Sequence, residues 1–215
     1  MAGGRRKKNE AGPERRPAIL DAAQRVLAEE GLKSATMRRI AAEAGLSTAG
    51  LYIYFKNKEA ILAAIRDRTF SELHAFAQKA TAGAGNPEER LRRHLAAYLD
   101  FARSYPDGYR LTFRSQLIRT PRPGRPSTPR AAVGREDFTV LVEEIAELIQ
   151  ADGAADEMLA HALAETAWAV IHGVSSLVID VPNFPTSGID RCLDEAVNMV
   201  LLGVRSHRRG PADPA

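Results

Sequence analysis

Residues 37–56 read MRRIAAEAGLSTAGLYIYFK, and the spacing of small, apolar and turn-forming residues in this stretch decides the fold. Thr36 stands just before Met37, Ile40 and Ala41 and carries a side-chain oxygen able to cap a short helix. Gly45 and Leu46 break that helix, and Ser47 can cap another running to about Tyr54. Two short helices held at a fixed angle make specific demands. Ala41 must be small where the second helix crosses it, and Gly45 must permit a turn that most residues resist. Ile40, Leu46 and Leu51 must form the small core that sets the angle. All of these are met at the spacing of a helix-turn-helix, whose second helix lies in the major groove of DNA.

Upstream, Pro17 suits a first helical turn, and Ile19, Ala22, Ala23, Val26 and Leu27 follow at helical spacing until Gly31 stops the run. Residues 1–14 are Gly-rich and charged, with no apolar periodicity, and are expected to be a disordered basic arm. Its Arg5, Arg6, Lys7 and Lys8 either follow phosphates and a minor groove or form a solvated tail; the sequence leaves both open. Downstream, Asn57 caps a long fourth helix carrying Ile61, Leu62, Ile65, Leu73 and Phe76.

Asn86-Pro87-Glu88-Glu89 supplies a cap, a first-turn proline and two carboxylates for a fifth helix, with Leu91, Leu95, Tyr98, Leu99 and Phe101 on its buried side. A sixth helical piece spans Tyr105 to Leu117 around the break at Pro106. Residues 119–130 hold four Pro and four Arg and read as a loop. Helical patterns return at about 135–151, 157–180 and 188–207. The expected fold class is all-α, with about nine helices. A three-helix head at 15–60 precedes a helical body at 61–209, and residues 210–215 are expected to be a disordered tail.

Composition agrees with an Ala- and Leu-rich helical protein of 215 residues. No run of eighteen or more consecutive apolar residues occurs, so no spanning helix and no membrane partner are expected. The charged N-terminus lacks the apolar stretch of a secretory signal. Cys192 is the only cysteine, which excludes an internal disulfide and suits a cytoplasmic location. Net charge is +3, unevenly placed: residues 1–68 hold 14 Lys/Arg against 8 Asp/Glu, and residues 69–215 hold 16 against 19. A basic head on a mildly acidic body suits a polyanion at the head.

Ile19 to Ile65 resembles the DNA-binding domain of the TetR family of repressors. The resemblance rests on Ile19-Leu20-x-Ala22-Ala23, Gly31, Thr36-Met37-x-x-Ile40-Ala41, Ala44-Gly45-Leu46-Ser47, Leu51-Tyr52-x-Tyr54-Phe55-x-Asn57-Lys58-Glu59 and Ile61-Leu62. Trp168-x-x-x-His172-Gly173 resembles a segment of the WHG-type C-terminal domain, and Asp107-Gly108-Tyr109-Arg110 resembles another stretch of it. The resemblance implies a homodimer formed through the last two helices, a small-molecule effector in the body, and release of a palindromic DNA operator. Repression is the family's default. At matching positions it places Thr36, Met37 and Arg38 at a phosphate, with Thr48, Ala49, Gly50 and Ile53 facing bases. Tyr52, Tyr54 and Lys58 brace the backbone. A family histidine often stands where this chain has Tyr54.

In the body, Tyr98, Phe101, Tyr105, Tyr109 and Phe113 form an aromatic band, and Trp168 and His172 share a helix face. Packed core is one reading of these residues; an effector pocket with Tyr109 and His172 as polar anchors is the other. Val197, Val200, Leu201 and Val204 form an apolar stripe expected at the dimer interface. His161 and Glu165 lie one turn apart but lack a partner cluster, so a surface pair is expected and no metal. No Gly-x-Ser-x-Gly, phosphate loop or Cys/His cluster occurs, so neither catalytic residues nor a cofactor are expected.

Overall fold

The computed structural model describes residues 15–114, 133–149 and 156–207. The basic arm, the Pro/Arg loop and the C-terminal tail expected from sequence lie outside those residues. Among the described residues there are nine α-helices. They are α1 Arg15–Ser34, α2 Met37–Glu43, α3 Thr48–Tyr54, α4 Lys58–Thr81, α5 Pro87–Ser104, α6 Pro106–Arg114, α7 Val133–Ile149, α8 Glu157–Asp180 and α9 Ile189–Ser206. The chain divides into two compact units. One comprises the described residues within Met1–Arg66 and Arg110–Arg119, and the other those within Asp67–Tyr109 and Thr120–Ala215.

The first unit is built on α1, which turns Ile19, Leu20, Ala22, Ala23, Val26 and Leu27 inward. Gly31 ends its regular part with φ +76°, a left-handed conformation that side chains other than glycine resist. The second unit is a helical bundle in which α8 packs against α5, α7 and α9. Asn86 caps α5 by accepting the Glu89 amide at 2.9 Å, and the Glu89 carboxylate turns back to accept the Gly85 amide at 2.9 Å. Polar side chains tie the bundle as well. His94 Nδ1 lies 2.8 Å from Glu144 Oε2 between α5 and α7, and both residues are buried. Arg92 donates to Asn198 Oδ1 at 2.8 Å, and Arg205 to Glu88 Oε1 at 2.9 Å, joining α5 to α9.

The membrane expectation rested on the lack of an unbroken apolar run, and α8 reads differently by mean hydropathy. By length and composition this helix is apolar enough to cross a bilayer, although no unbroken apolar run exists in the sequence. Its Val, Ile and Leu residues carry the mean hydropathy of 1.5, although isolated polar residues interrupt the run. Ala160, Ala164, Ala167, Ile171 and Ser175 are the buried face of α8 in the bundle. Small side chains there let neighbouring helices approach closely.

Candidate functional site

The helix-turn-helix forms as its residue types require. Thr36 Oγ1 accepts the Arg39 amide at 3.2 Å and caps α2; Ser47 Oγ accepts the Gly50 amide at 3.0 Å and caps α3. Between them Gly45 adopts φ +67°, and the Leu46 amide closes the turn onto the Ala41 carbonyl at 2.8 Å. Ile40, Ala41, Leu51 and Phe55 are buried in one cluster with α1 and the start of α4, and Leu46 packs on its edge. Helices of seven residues do not hold themselves together in water, so this core is what keeps α3 folded.

Two polar arrangements orient the unit. Glu43 accepts Arg25 Nε at 3.0 Å and Arg39 Nη1 at 3.0 Å, while Arg39 Nε also reaches Glu30 at 2.6 Å. Hydrogen bonds from Arg25 and then Arg39 hold the Glu43 carboxyl below its usual range. The bonds that Arg39 donates to Glu30 and then to Glu43 raise the pKa of its guanidinium. This ladder binds α2 to α1. At the other end, Arg16 Nη1 donates to the Tyr54 carbonyl at 2.9 Å, and its guanidinium lies 4.3 Å from the centre of the Phe55 ring. It thereby ties the last turn of α3 to the first turn of α1.

Several predicted contact residues sit on the outside of this frame. Arg38, Ala49, Tyr52 and Ile53 are exposed, Ile53 at 71% and Tyr52 at 52%. Thr48 and Gly50 are half-buried beside them, and Thr36 is exposed while serving as a cap. Met37 and Tyr54 instead pack partly against the head core. Lys58 Nζ donates to the Leu32 carbonyl at 3.0 Å, so in this structure it satisfies a carbonyl just past the end of regular α1. Sequence reasoning missed Arg16, Arg25, Arg39 and Glu43. Only Arg39 and Glu43 left a signal, their spacing of four on one helix.

The body brings together four of the seven predicted pocket residues. Tyr109 Oη is 2.6 Å and Tyr98 Oη 3.0 Å from His172 Nδ1, and Trp168 Nε1 donates to Tyr98 Oη at 3.3 Å. The Tyr109 and His172 rings stack with centroids 5.5 Å apart. Burial lowers the His172 pKa and raises that of Tyr109, so both are neutral at physiological pH. A neutral imidazole can accept a hydrogen bond from a phenol at Nδ1. Phe101 is fully buried, and its ring partners are Phe76, at 6.1 Å, and Tyr105, at 5.1 Å. Tyr105 is half exposed. Phe113 belongs to the first unit rather than the body, because the chain passes between units after Tyr109.

The expected dimer stripe needs correction. Val197, Val200, Leu201 and Val204 are at most 9% exposed, turned into the bundle of their own protomer. The α9 stripe is the side that faces α5 and α8, and a pattern of apolar residues cannot by itself name the surface that covers it. The large apolar side chains left outside are Met199 and Leu202 on α9, and Met158, Trp168 and Leu177 on α8. A groove of about 330 Å³ between α8 and α9 is lined by Met199, Val170, Val174, Cys192 and Ala196 with Ser187, Arg191 and Glu195. Among the described residues no group of His, Cys, Asp and Glu is placed to hold a metal.

A capped helix-turn-helix ahead of a helical bundle is the architecture of a bacterial transcription regulator. Residues 19–65 match the bacterial regulatory proteins of the tetR family, and residues 91–200 match the tetracyclin repressor-like C-terminal domain. The chain belongs to the tetR family, a family of DNA-binding transcription regulators and not of enzymes. It is 33% identical over 121 residues to the HTH-type transcriptional activator FasR of Mycolicibacterium smegmatis, a match covering 56% of this chain. The chain spans about half the length of that relative, 55%. Among solved structures, a Rhodococcus sp. RHA1 protein of unknown function superposes with a TM-score of 0.72 at 21% identity, over 92% of this chain and 98% of that one. AibR, solved in complex with isovaleryl coenzyme A and operator DNA, gives a TM-score of 0.66 at 20% identity, over 86% and 97%. These two likenesses concern the fold.

Proposed function

We propose that the chain is a ligand-responsive repressor that acts in the cytoplasm, binds a palindromic operator as a homodimer and is released by a small-molecule effector. The observation that carries this reading is the outer surface of the head. Arg38 on α2 stands clear of the core, as do Ala49, Tyr52 and Ile53 on α3, whose opposite side is pinned by Leu51. Arg38 supplies the hydrogen-bond donors for a base edge or phosphate, and α3 supplies a close-fitting surface for the groove. The effector site is the neutral cluster of Tyr98, Tyr109, Trp168 and His172, in a domain we assign to the WHG type. An entering ligand trades hydrogen bonds with this cluster, and its differential affinity for two states of the body sets the size of the response.

Dimerisation uses the exposed faces of α8 and α9, with Met199, Leu202 and Leu177 at its centre. A second copy of the chain buries these side chains, which would otherwise contact water. Selection of bound duplexes from random DNA tests the reading directly. An inverted repeat with half-sites about one helical turn apart supports it, and enrichment of no duplex overturns it. Arg38→Ala should lose about 1–3 kcal/mol on the selected duplex and relax one position per half-site. The direction of control is read from a reporter behind that operator. Expression that rises when the regulator is removed supports repression; expression that falls makes the chain an activator, as FasR is.

A further inference from the structure

The seven residues of α3, Thr48 to Tyr54, contain no Arg, Lys, Asn, Gln, Asp or Glu. No side chain on this helix can therefore make the bidentate hydrogen bonds that usually read guanine or adenine. Leu51 is fully buried and marks the inward side. Ala49 and Ile53 lie two residues to either side of it, about 200° round the helix, and are neighbours at i and i+4. Ile53 is exposed at 71%, more than any other large apolar side chain among the described residues of the head. Neither packing nor helix propensity accounts for it, since a β-branched residue is a middling helix former. A single exposed apolar residue needs no explanation, but here it forms a row with Ala49 at the centre of the outward face.

We propose that Ile53, seated beside Ala49, is a specificity-determining residue that reads the C5-methyl group of a pyrimidine in the major groove. Thymine carries that methyl, and 5-methylcytosine offers the same chemistry from a second source. The apolar row gains by covering a methyl and gains nothing from cytosine or uracil, whose C5 carries hydrogen.

The inference rests on the DNA-binding reading, and the test separates the two. The full chain first selects a duplex from random DNA; then each thymine of the half-site is replaced in turn by deoxyuridine, symmetrically. At one position per half-site the wild-type protein should bind the deoxyuridine duplex about fourfold more weakly per methyl removed. Ile53→Ala, an exposed substitution whose fold is checked by circular dichroism, should bind the two duplexes alike. Cytosine and 5-methylcytosine placed at the same position form the second arm, and wild type should prefer the methylated base by a similar factor. Full discrimination against deoxyuridine by Ile53→Ala overturns the assignment of Ile53, as does indifference of the wild type to every replacement. If no duplex is selected at all, the DNA-binding reading fails first and takes this one with it.

Discussion

Replacing Arg16 by methionine keeps the aliphatic stem and removes the two contacts that fasten the end of α3. One is the hydrogen bond to the Tyr54 carbonyl at 2.9 Å; the other is the guanidinium 4.3 Å from the Phe55 ring centre. Arg16 is exposed, so solvent screens both. An exposed cation–π contact contributes about 0.5–1 kcal/mol and a net hydrogen bond about 0.5–1.5 kcal/mol. The variant should lose roughly 1–2 kcal/mol of stability, read as a lower midpoint in urea with an unchanged slope. Operator affinity should fall as well, because the last turn of α3 gains freedom that binding must remove. The dependence of affinity on salt distinguishes this positioning role from a phosphate contact. A lost phosphate contact would lower the slope of log K against log salt by about 0.9, whereas a lost clamp leaves it alone. Unchanged urea stability, or a slope reduced by a full contact, would refute the reasoning.

Glu144→Ala should destabilise the body by about 1–3 kcal/mol in urea, because it strands the buried His94 ring that now lies 2.8 Å from the carboxylate. Burial holds the His172 pKa below the unfolded value of 6.5, so the unfolded chain binds the extra proton first as pH falls. Stability should be full above pH 6.5 and decline below it, and His172→Gln should flatten that decline in melts at pH 7.5 and 5.5. Met199→Arg should give folded monomers in sedimentation, whereas Leu201→Arg, at a residue only 2% exposed inside one protomer, should unfold the bundle. A Met199→Arg protein that remains dimeric would remove that face from the interface.

The head was legible because its demands are local. Thr36, Ser47 and Gly45 carry caps and a left-handed turn within a few residues of where they act, and periodicity over short spans names Ile40 and Leu51 as core. Contacts between residues distant in sequence were not legible: Arg16 to Tyr54 spans 38 positions, and His94 to Glu144 spans 50. The α9 stripe shows the same limit in another form. Spacing identified Val197, Val200, Leu201 and Val204 as one buried face, but the covering surface proved to be this chain's own helices. Tyr98, Tyr109, Trp168 and His172, expected from sequence around one pocket, meet in the structure, whereas Phe113 lies in the other unit because the chain leaves the body between it and Tyr109.

The two caps, the glycine turn and the Leu51 anchor free the outer residues of α3 from any duty to the fold. Ala49, Tyr52 and Ile53 can be exchanged across descendants of this gene without a folding penalty, so long as the anchors stay. Such a division of labour lets duplicated regulators drift apart in the sites they read while inheriting one unchanged scaffold. New specificities then arise by single substitutions rather than by rebuilding the domain.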